Sequence, residues 1–117
     1  MKTKNQKFLE EFNKAFARSD TDFILQHVSD DISWTIYGDF SIQGKEAFAK
    51  ELKKMESPEP FELIINNIIT HGRSAAVDGT MTSPDGKVYA FCDLYKFSGL
   101  KNPKIKEMNS YVVEIKK

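Results

Sequence analysis

A single cysteine, Cys92, stands in a chain of 117 residues, which excludes an intramolecular disulfide framework. Histidine is almost as scarce. His27 and His71 are the only two, too scattered for a metal site, and there is no HExxH motif, cysteine pair or spaced carboxylate cage. Asp78, Asp93 and one histidine are the only conceivable metal set, and the expectation is that no metal and no other cofactor is held. An excess of either charge is also lacking. Seventeen basic residues balance seventeen acidic ones, so nothing steers the chain toward nucleic acid or an anionic membrane. No apolar run approaches membrane-spanning length, and no glycine-rich loop supports nucleotide binding. Met1 to Lys7 carries no apolar signal core behind it, so the expected compartment is the cytoplasm.

What is present is ordinary globular material with a generous supply of rings. Hydrophobic residues make up 40% and charged residues 29%, values that argue against disorder. Nine Phe, four Tyr and one Trp supply bulk for a core or a cavity wall. The length fits one domain over residues 1–117. Folding such a chain buries roughly two-thirds of its unfolded surface, enough for a core without a disulfide or a metal.

Thr3 and Gln6 have capping-box spacing, and Phe8, Leu9, Phe12, Ala15 and Phe16 follow at helical intervals. Ser19-Asp20 stops that helix and caps a shorter one carrying Phe23, Ile24, Leu25 and Val28. Ile32 to Tyr37 alternates as a strand with Ile32, Trp34 and Ile36 on one face. A short strand lies between Gly38-Asp39 and Gly44. Lys45 to Met55 reads as a third helix, on which Lys50, Lys53 and Lys54 are solvated, and Ser57-Pro58-Glu59-Pro60 ends it. Strand patterns then cover Phe61 to His71, Ser74 to Thr82, Val88 to Phe97 and Ile105 to Ile115, with a Gly/Asn/Pro loop near Gly99 to Pro103 before the last. Helices first and a meander afterwards is an α+β order, with three helices packed on a mostly antiparallel sheet. Val88 to Phe97 is apolar on both faces, so it should be central and covered on both sides. The helices cover one face. A second subunit is expected on the other, making a homodimer, and a near-zero net charge tolerates such self-association.

The Asp85-Gly86 pair is the strongest hairpin signal in the chain. If these two residues are the loop of a type I′ turn, Thr82 faces Tyr89, Thr80 faces Phe91 and Asp78 faces Asp93. A four-residue loop keeps that register, and a three-residue loop breaks it. In the two-residue register Asp78 and Asp93 share a face with Tyr89, Phe91, Tyr95 and Phe97. Facing carboxylates among aromatic rings predict a shared proton, a hydrogen-bonded basic partner, or a wrong register. A carboxyl held neutral or poised near neutrality can donate to a ligand oxygen or act as general acid or base. The plainer alternative is that Asp93 accepts hydrogen bonds from Ser110, Asn109 or a tyrosine, while Asp78 reaches water at a sheet rim. Trp34 is a cavity wall or simply core. Met108 and Ser110 share one face of the last strand, Asn109 and Tyr111 the other, and the pattern leaves open which pair points inward. Cys92 alternates away from Asp93, as an inert thiol would.

Several segments taken in order, Val28-Ser29-Asp30-Asp31-Ile32-Ser33-Trp34, Gly44-Lys45-Glu46-Ala47, Phe91-Cys92-Asp93-Leu94-Tyr95-Lys96-Phe97 and Lys104-Ile105, resemble the SnoaL-like branch of the nuclear transport factor two-like superfamily. The resemblance covers essentially the whole chain. It implies a cone-shaped α+β barrel, a strongly bent sheet around a helical lid, and commonly a dimer through the sheet. That superfamily includes steroid isomerases, polyketide cyclases, epoxide hydrolases, dehydratases and non-catalytic modules, so fold alone does not assign chemistry. By the resemblance, Asp93 matches the isomerases' protonated oxyanion-hole aspartate. Their tyrosine donor falls on Phe12, their base aspartate near Ile36, and the cyclases' acidic residue on Val113. Most of the isomerase and cyclase machinery is therefore missing.

The functional expectation is a small-molecule pocket protein. Trp34, Phe12, Phe16, Ile36, Phe91, Tyr95, Met108 and Ser110 would bind a small apolar carbonyl or aromatic compound. Asp93 would be the polar or catalytic group, with Asp78 tuning it, for acid/base chemistry of isomerase, cyclase, dehydratase or hydrolase type. The alternative is a non-catalytic dimeric module that binds a ligand or a protein partner, and a third possibility is a pocket filled by its own side chains.

Overall fold

The computed structural model describes residues 2–99 and 103–116, so the expected loop after Gly99 lies partly outside the described residues. The N-terminal helix α1 (Lys4–Ala17) begins where the capping box predicts. Thr3 Oγ1 accepts from the Gln6 amide at 3.2 Å, and Gln6 Oε1 accepts from the Thr3 amide at 2.9 Å. The helix buries Leu9, Phe12, Asn13, Ala15 and Ala17, one stripe facing the sheet. Ser19 turns the chain with a positive φ of 57°. Asp20 then caps α2 (Thr21–Gln26) by accepting from the Phe23 amide.

Val28 belongs to the first strand rather than to α2, a correction to the sequence reading. His27 ends the helix, its ring nitrogen held 2.7 Å from the Phe23 carbonyl, and Val28 opens β1 (Val28–Ile36) by pairing with Ile105. A turn leads to β2 (Phe40–Gln43). Gly44, at a φ of 93°, leads into α3 (Lys45–Lys54), which packs on β1. The remaining chain is β3 (Glu62–His71), β4 (Ser74–Thr82), β5 (Val88–Phe97) and β6 (Ile105–Ile115).

The six strands form one sheet in the order β2-β1-β6-β5-β4-β3. All neighbours are antiparallel except β1 and β6, which run parallel. Irregularities in β1/β6, at Asn66 of β3 and at Lys96/Phe97 of β5 bend the sheet. It curls around the helices without closing, since β2 and β3 remain as edges. The three helices lie against the concave side. Leu9, Phe12, Phe48 and Ile24 pack there against Trp34, Val77, Tyr95, Phe97 and Met108.

β5 is central, as expected, but within this chain it is covered on one face only. Phe91, Tyr95 and Phe97 are buried on the concave side, whereas Leu94 on the convex side is exposed. The β4–β5 hairpin departs from the two-residue register. Ser83 and Lys87 pair across the turn, Gly86 adopts a φ of 91°, and three residues, Pro84 to Gly86, form the loop. That single residue slips the ladder by one position. Thr82 faces Val88, Gly79 faces Phe91, Val77 faces Asp93, and Asp78 faces Cys92.

Candidate functional site

The slip separates the two carboxylates. Asp93 keeps its place on the concave face, but Asp78 lies on the convex face, where Asn67 Nδ2 donates to it at 2.9 Å. The predicted facing pair therefore does not exist. Side chains alternate across a strand, so a one-residue slip moves the whole inward set of β4. Ala75, Val77 and Gly79 occupy the concave face, with Met81, in place of Ala76, Asp78, Thr80 and Thr82.

Between α1, the concave sheet and the α3–β3 connection lies a cavity of about 330 Å³. Phe16, Trp34, Ile36, Phe91 and Met108 line it, and Asn13, Asp93 and Ser110 supply polar atoms. Of the residues singled out from sequence, Phe12 and Tyr95 do not line it. Phe12 is fully buried behind the wall, its ring 5.4 Å from Phe16 and 6.2 Å from Tyr95. Tyr95 stands behind Asp93 and acts on the cavity through it. Met108 and Ser110 are the inward pair of β6, while Tyr111 points outward and stacks on Tyr37.

Met55, Phe61, Met81, Tyr89, Val112 and Asp39 complete the lining; strand alternation had already put Tyr89 on the face of Asp93, but none of the six was singled out as ligand-binding. Met55 ends the helical pattern of α3, and Phe61 follows the proline segment, which carries no periodicity to read. The Phe61 amide donates to the Ala17 carbonyl, which ties that segment to the end of α1. Asn13 was also missed, though it left a signal. It lies on the stripe Leu9-Phe12-Asn13-Phe16, where an uncharged polar residue among apolar ones asks for a partner.

The partners form a chain of hydrogen bonds. Asn13 Nδ2 donates to the Leu9 carbonyl at 2.8 Å and to Tyr95 Oη at 3.2 Å. The Tyr95 hydroxyl donates to Asp93 Oδ2 at 3.2 Å. Ser110 lies directly across from Asp93 on β6, and its Oγ accepts from Trp34 Nε1 at 3.0 Å, which leaves its own proton for the carboxylate. The indole and the carboxyl are thus fixed by one hydroxyl between them.

Burial raises the Asp93 carboxyl to about 6, against the hydrogen bonds from Ser110 and Tyr95 that favour its charged form. Tyr95, buried next to that carboxylate, is pushed well above the ordinary tyrosine range. A carboxyl placed near neutrality and facing a cavity can take or give a proton at physiological pH. A second hollow of about 370 Å³ lies between α1 and β3. Lys2 and Lys14 reach across its rim to Glu10 and form ion pairs at the surface, and it holds no buried titratable group. Cys92, half-buried on the convex face, is held above the ordinary thiol range by desolvation, which keeps it protonated. Among the described residues no group of three His, Cys, Asp or Glu side chains converges as metal ligands do. Among the described residues no helix is long and apolar enough to cross a membrane.

Comparison with known proteins places this architecture. No curated protein matches the sequence. Many solved structures share the fold. An NTF2-like protein of unknown function from Cytophaga hutchinsonii superposes with a TM-score of 0.67 at 23% identity, over 92% of this chain and 98% of that one. An LEH-like epoxide hydrolase of M. tuberculosis gives 0.76 at 20% identity, over 92% and 81%. A protein assigned as a SnoaL-like polyketide cyclase from Shewanella putrefaciens gives 0.80 at 10%, over 96% and 91%. At these identities the likeness is one of fold. The SnoaL-like domain model matches residues 9–108, most of the chain and all of the cavity lining except Ser110 and Val112, and the protein belongs to the SnoaL-like family.

Proposed function

We propose that this protein binds one small, mainly apolar molecule in the cavity and brings its polar group against Asp93, which exchanges a proton with it. The observation that carries this reading is the coincidence of one partly buried carboxyl, poised near neutrality, with a mainly apolar cavity. At about 330 Å³ the space suits a compact carbonyl or aromatic compound. Phe16, Trp34, Ile36, Phe91 and Met108 would grip the hydrocarbon, with Ser110 and Tyr95 orienting the carboxyl. Epoxide hydrolase and polyketide cyclase activities are named for two proteins of similar fold, and both involve proton transfer to or from oxygen or carbon. That accords with this reading without selecting either activity.

Trp34 is the only tryptophan and lines the cavity, so its indole reports occupancy. Small ketones and aromatic compounds are expected to shift the Trp34 Nε1–H resonance, and Asp93→Asn is expected to weaken that binding. Compounds that bind both forms equally would remove Asp93 from the site. Proton exchange is tested by incubating a bound methyl ketone in D2O. Asp93-dependent loss of its α-proton signals supports acid/base chemistry.

The non-catalytic reading is favoured by one observation. Among the described residues that line the cavity, Asp93 and the exposed Asp39 are the only carboxyls, and by the sequence resemblance the isomerases' base aspartate falls near the aliphatic Ile36. Binding without exchange would assign the protein to that class.

We also infer that two copies pair through the convex sheet face. Ile69, Leu94, Tyr111 and Val113 lie exposed there, Val113 to 66%, which is more apolar surface than a solvated sheet face usually carries.

A further inference from the structure

The polar end of the cavity has an uneven supply of donors and acceptors. Asn13 Nδ2 has two protons, and both are engaged, by the Leu9 carbonyl and Tyr95 Oη. Trp34 has one, directed to Ser110 Oγ. Tyr95 has one, and its 3.2 Å approach to Asp93 Oδ2 is shorter than its 3.5 Å approach to Asn13 Oδ1. Ser110, paired with Asp93 across the ladder, favours the charged form of the same carboxylate through its hydroxyl. The donors of this end are therefore spent within the protein. Asn13 Oδ1 and the Asp93 carboxylate remain as acceptors, on two residues that line the cavity.

The charges are uneven in the same sense. Asp93 in the interior and Asp39 at the rim are the only charged side chains among the described residues that line the cavity. No Lys, Arg or His lines it. A carboxylate among Phe16, Trp34, Phe61, Tyr89 and Phe91 has no counter-ion from its own chain. Aromatic faces attract cations, and a desolvated carboxylate repels a second anion strongly.

We propose that the ligand selected by this cavity is a compact apolar compound carrying a protonated amine, its ammonium group hydrogen-bonded to Asp93 beside Asn13 and its hydrocarbon against Phe16, Phe91 and Met108. The proposal rests on the reading of the cavity as a ligand site anchored at Asp93 and specifies the chemistry of the group that meets it. An ammonium offers three donors and one positive charge to a site that presents acceptors and negative charge. A ketone of the same shape offers only another acceptor, and a carboxylate adds a like charge.

Three probes of one skeleton test this: 1-adamantylmethylamine, 1-adamantyl methyl ketone and 1-adamantanecarboxylate. None carries an aromatic ring and only the ketone absorbs, weakly, near the indole band, so the Trp34 Nε1–H resonance can follow all three titrations. At neutral pH the amine is expected to bind wild-type protein at least about tenfold more tightly than the ketone, with the carboxylate weaker still by about tenfold or more. In Asp93→Asn, which removes the charge and keeps the shape, the advantage of the amine over the ketone should vanish. A wild-type preference for the ketone overturns the proposal and leaves the ligand-pocket reading intact. Equal binding of all three probes also overturns it. No response of Trp34 to any probe overturns the proposal and the ligand-pocket reading together. The wild-type comparison decides the matter even if the variant fails to fold.

Discussion

Replacing Asp93 with Asn should stabilise the protein, and only when the solution is not acidic. Burial holds the carboxyl at about 6, whereas its ordinary value is 3.8. The folded state therefore binds this proton more tightly than the unfolded chain does. The resulting stability is fully present below pH 3.8 and is lost as pH rises toward 6. Above that the ionised carboxylate costs roughly 3 kcal/mol. Asn cannot ionise, and its side-chain oxygen can still accept from Tyr95. The variant should match wild type at pH 4 to within about 1 kcal/mol and exceed it by roughly 2–3 kcal/mol at pH 8. For a chain of this size that corresponds to roughly 10 °C in Tm. Urea unfolding followed by far-ultraviolet circular dichroism at pH 4, 6 and 8 measures the difference, and other titrating groups cancel between the two proteins. An offset independent of pH would refute the reasoning. A wild type more stable at pH 8 would show that Asp93 makes a bond worth more than its desolvation.

Tyr95→Phe should move the Asp93 titration further upward, since the lost hydrogen bond favours the charged form; carbon-detected NMR of the side-chain carboxyl reads the change. Gly79→Ala should cost at least about 3 kcal/mol or prevent folding, because a Cβ there would lie 2.0 Å from the Ile64 carbonyl oxygen. Thermal melts decide it, and an alanine variant within about 1 kcal/mol of wild type would mean that β3 is free to move. Ser110→Ala should cost roughly 1–3 kcal/mol by leaving the buried Trp34 Nε1–H without an acceptor, read by denaturant unfolding. Val113→Lys on the exposed convex face should convert a dimer to a monomer in sedimentation equilibrium without lowering monomer stability by more than about 0.5 kcal/mol.

Much of the architecture could be read locally, for identifiable reasons. The capping box at Thr3 and Gln6 and the stripe from Leu9 to Phe16 specify α1 from neighbouring residues alone. Strand alternation likewise placed Trp34 with Ile36, and Phe91 with Asp93 and Tyr95, on common faces. Asp93 was legible as an unusual carboxylate because it interrupts an aromatic row. Asn13 could have been found in the same way, as the polar residue on an apolar helix face.

What amino-acid order alone determined is which residues share a face, because helix and strand periods are local properties of the backbone. What only the tertiary structure decided is which faces meet. Asp78 and Asp93 each sit on a definite side of their own strand, yet one extra residue in the turn at Pro84 to Gly86 carries Asp78 to the convex surface. The direction of Met108 and Ser110 depended on how β6 joins β5 and β1, across a loop with no pattern of its own. The mouth residues Met55, Phe61 and Asp39 come from connections whose positions are set by what they pack against. The titration of Asp93 belongs to the same class. It arises from desolvation by side chains distant in sequence, which the order of residues lists but only the fold assembles.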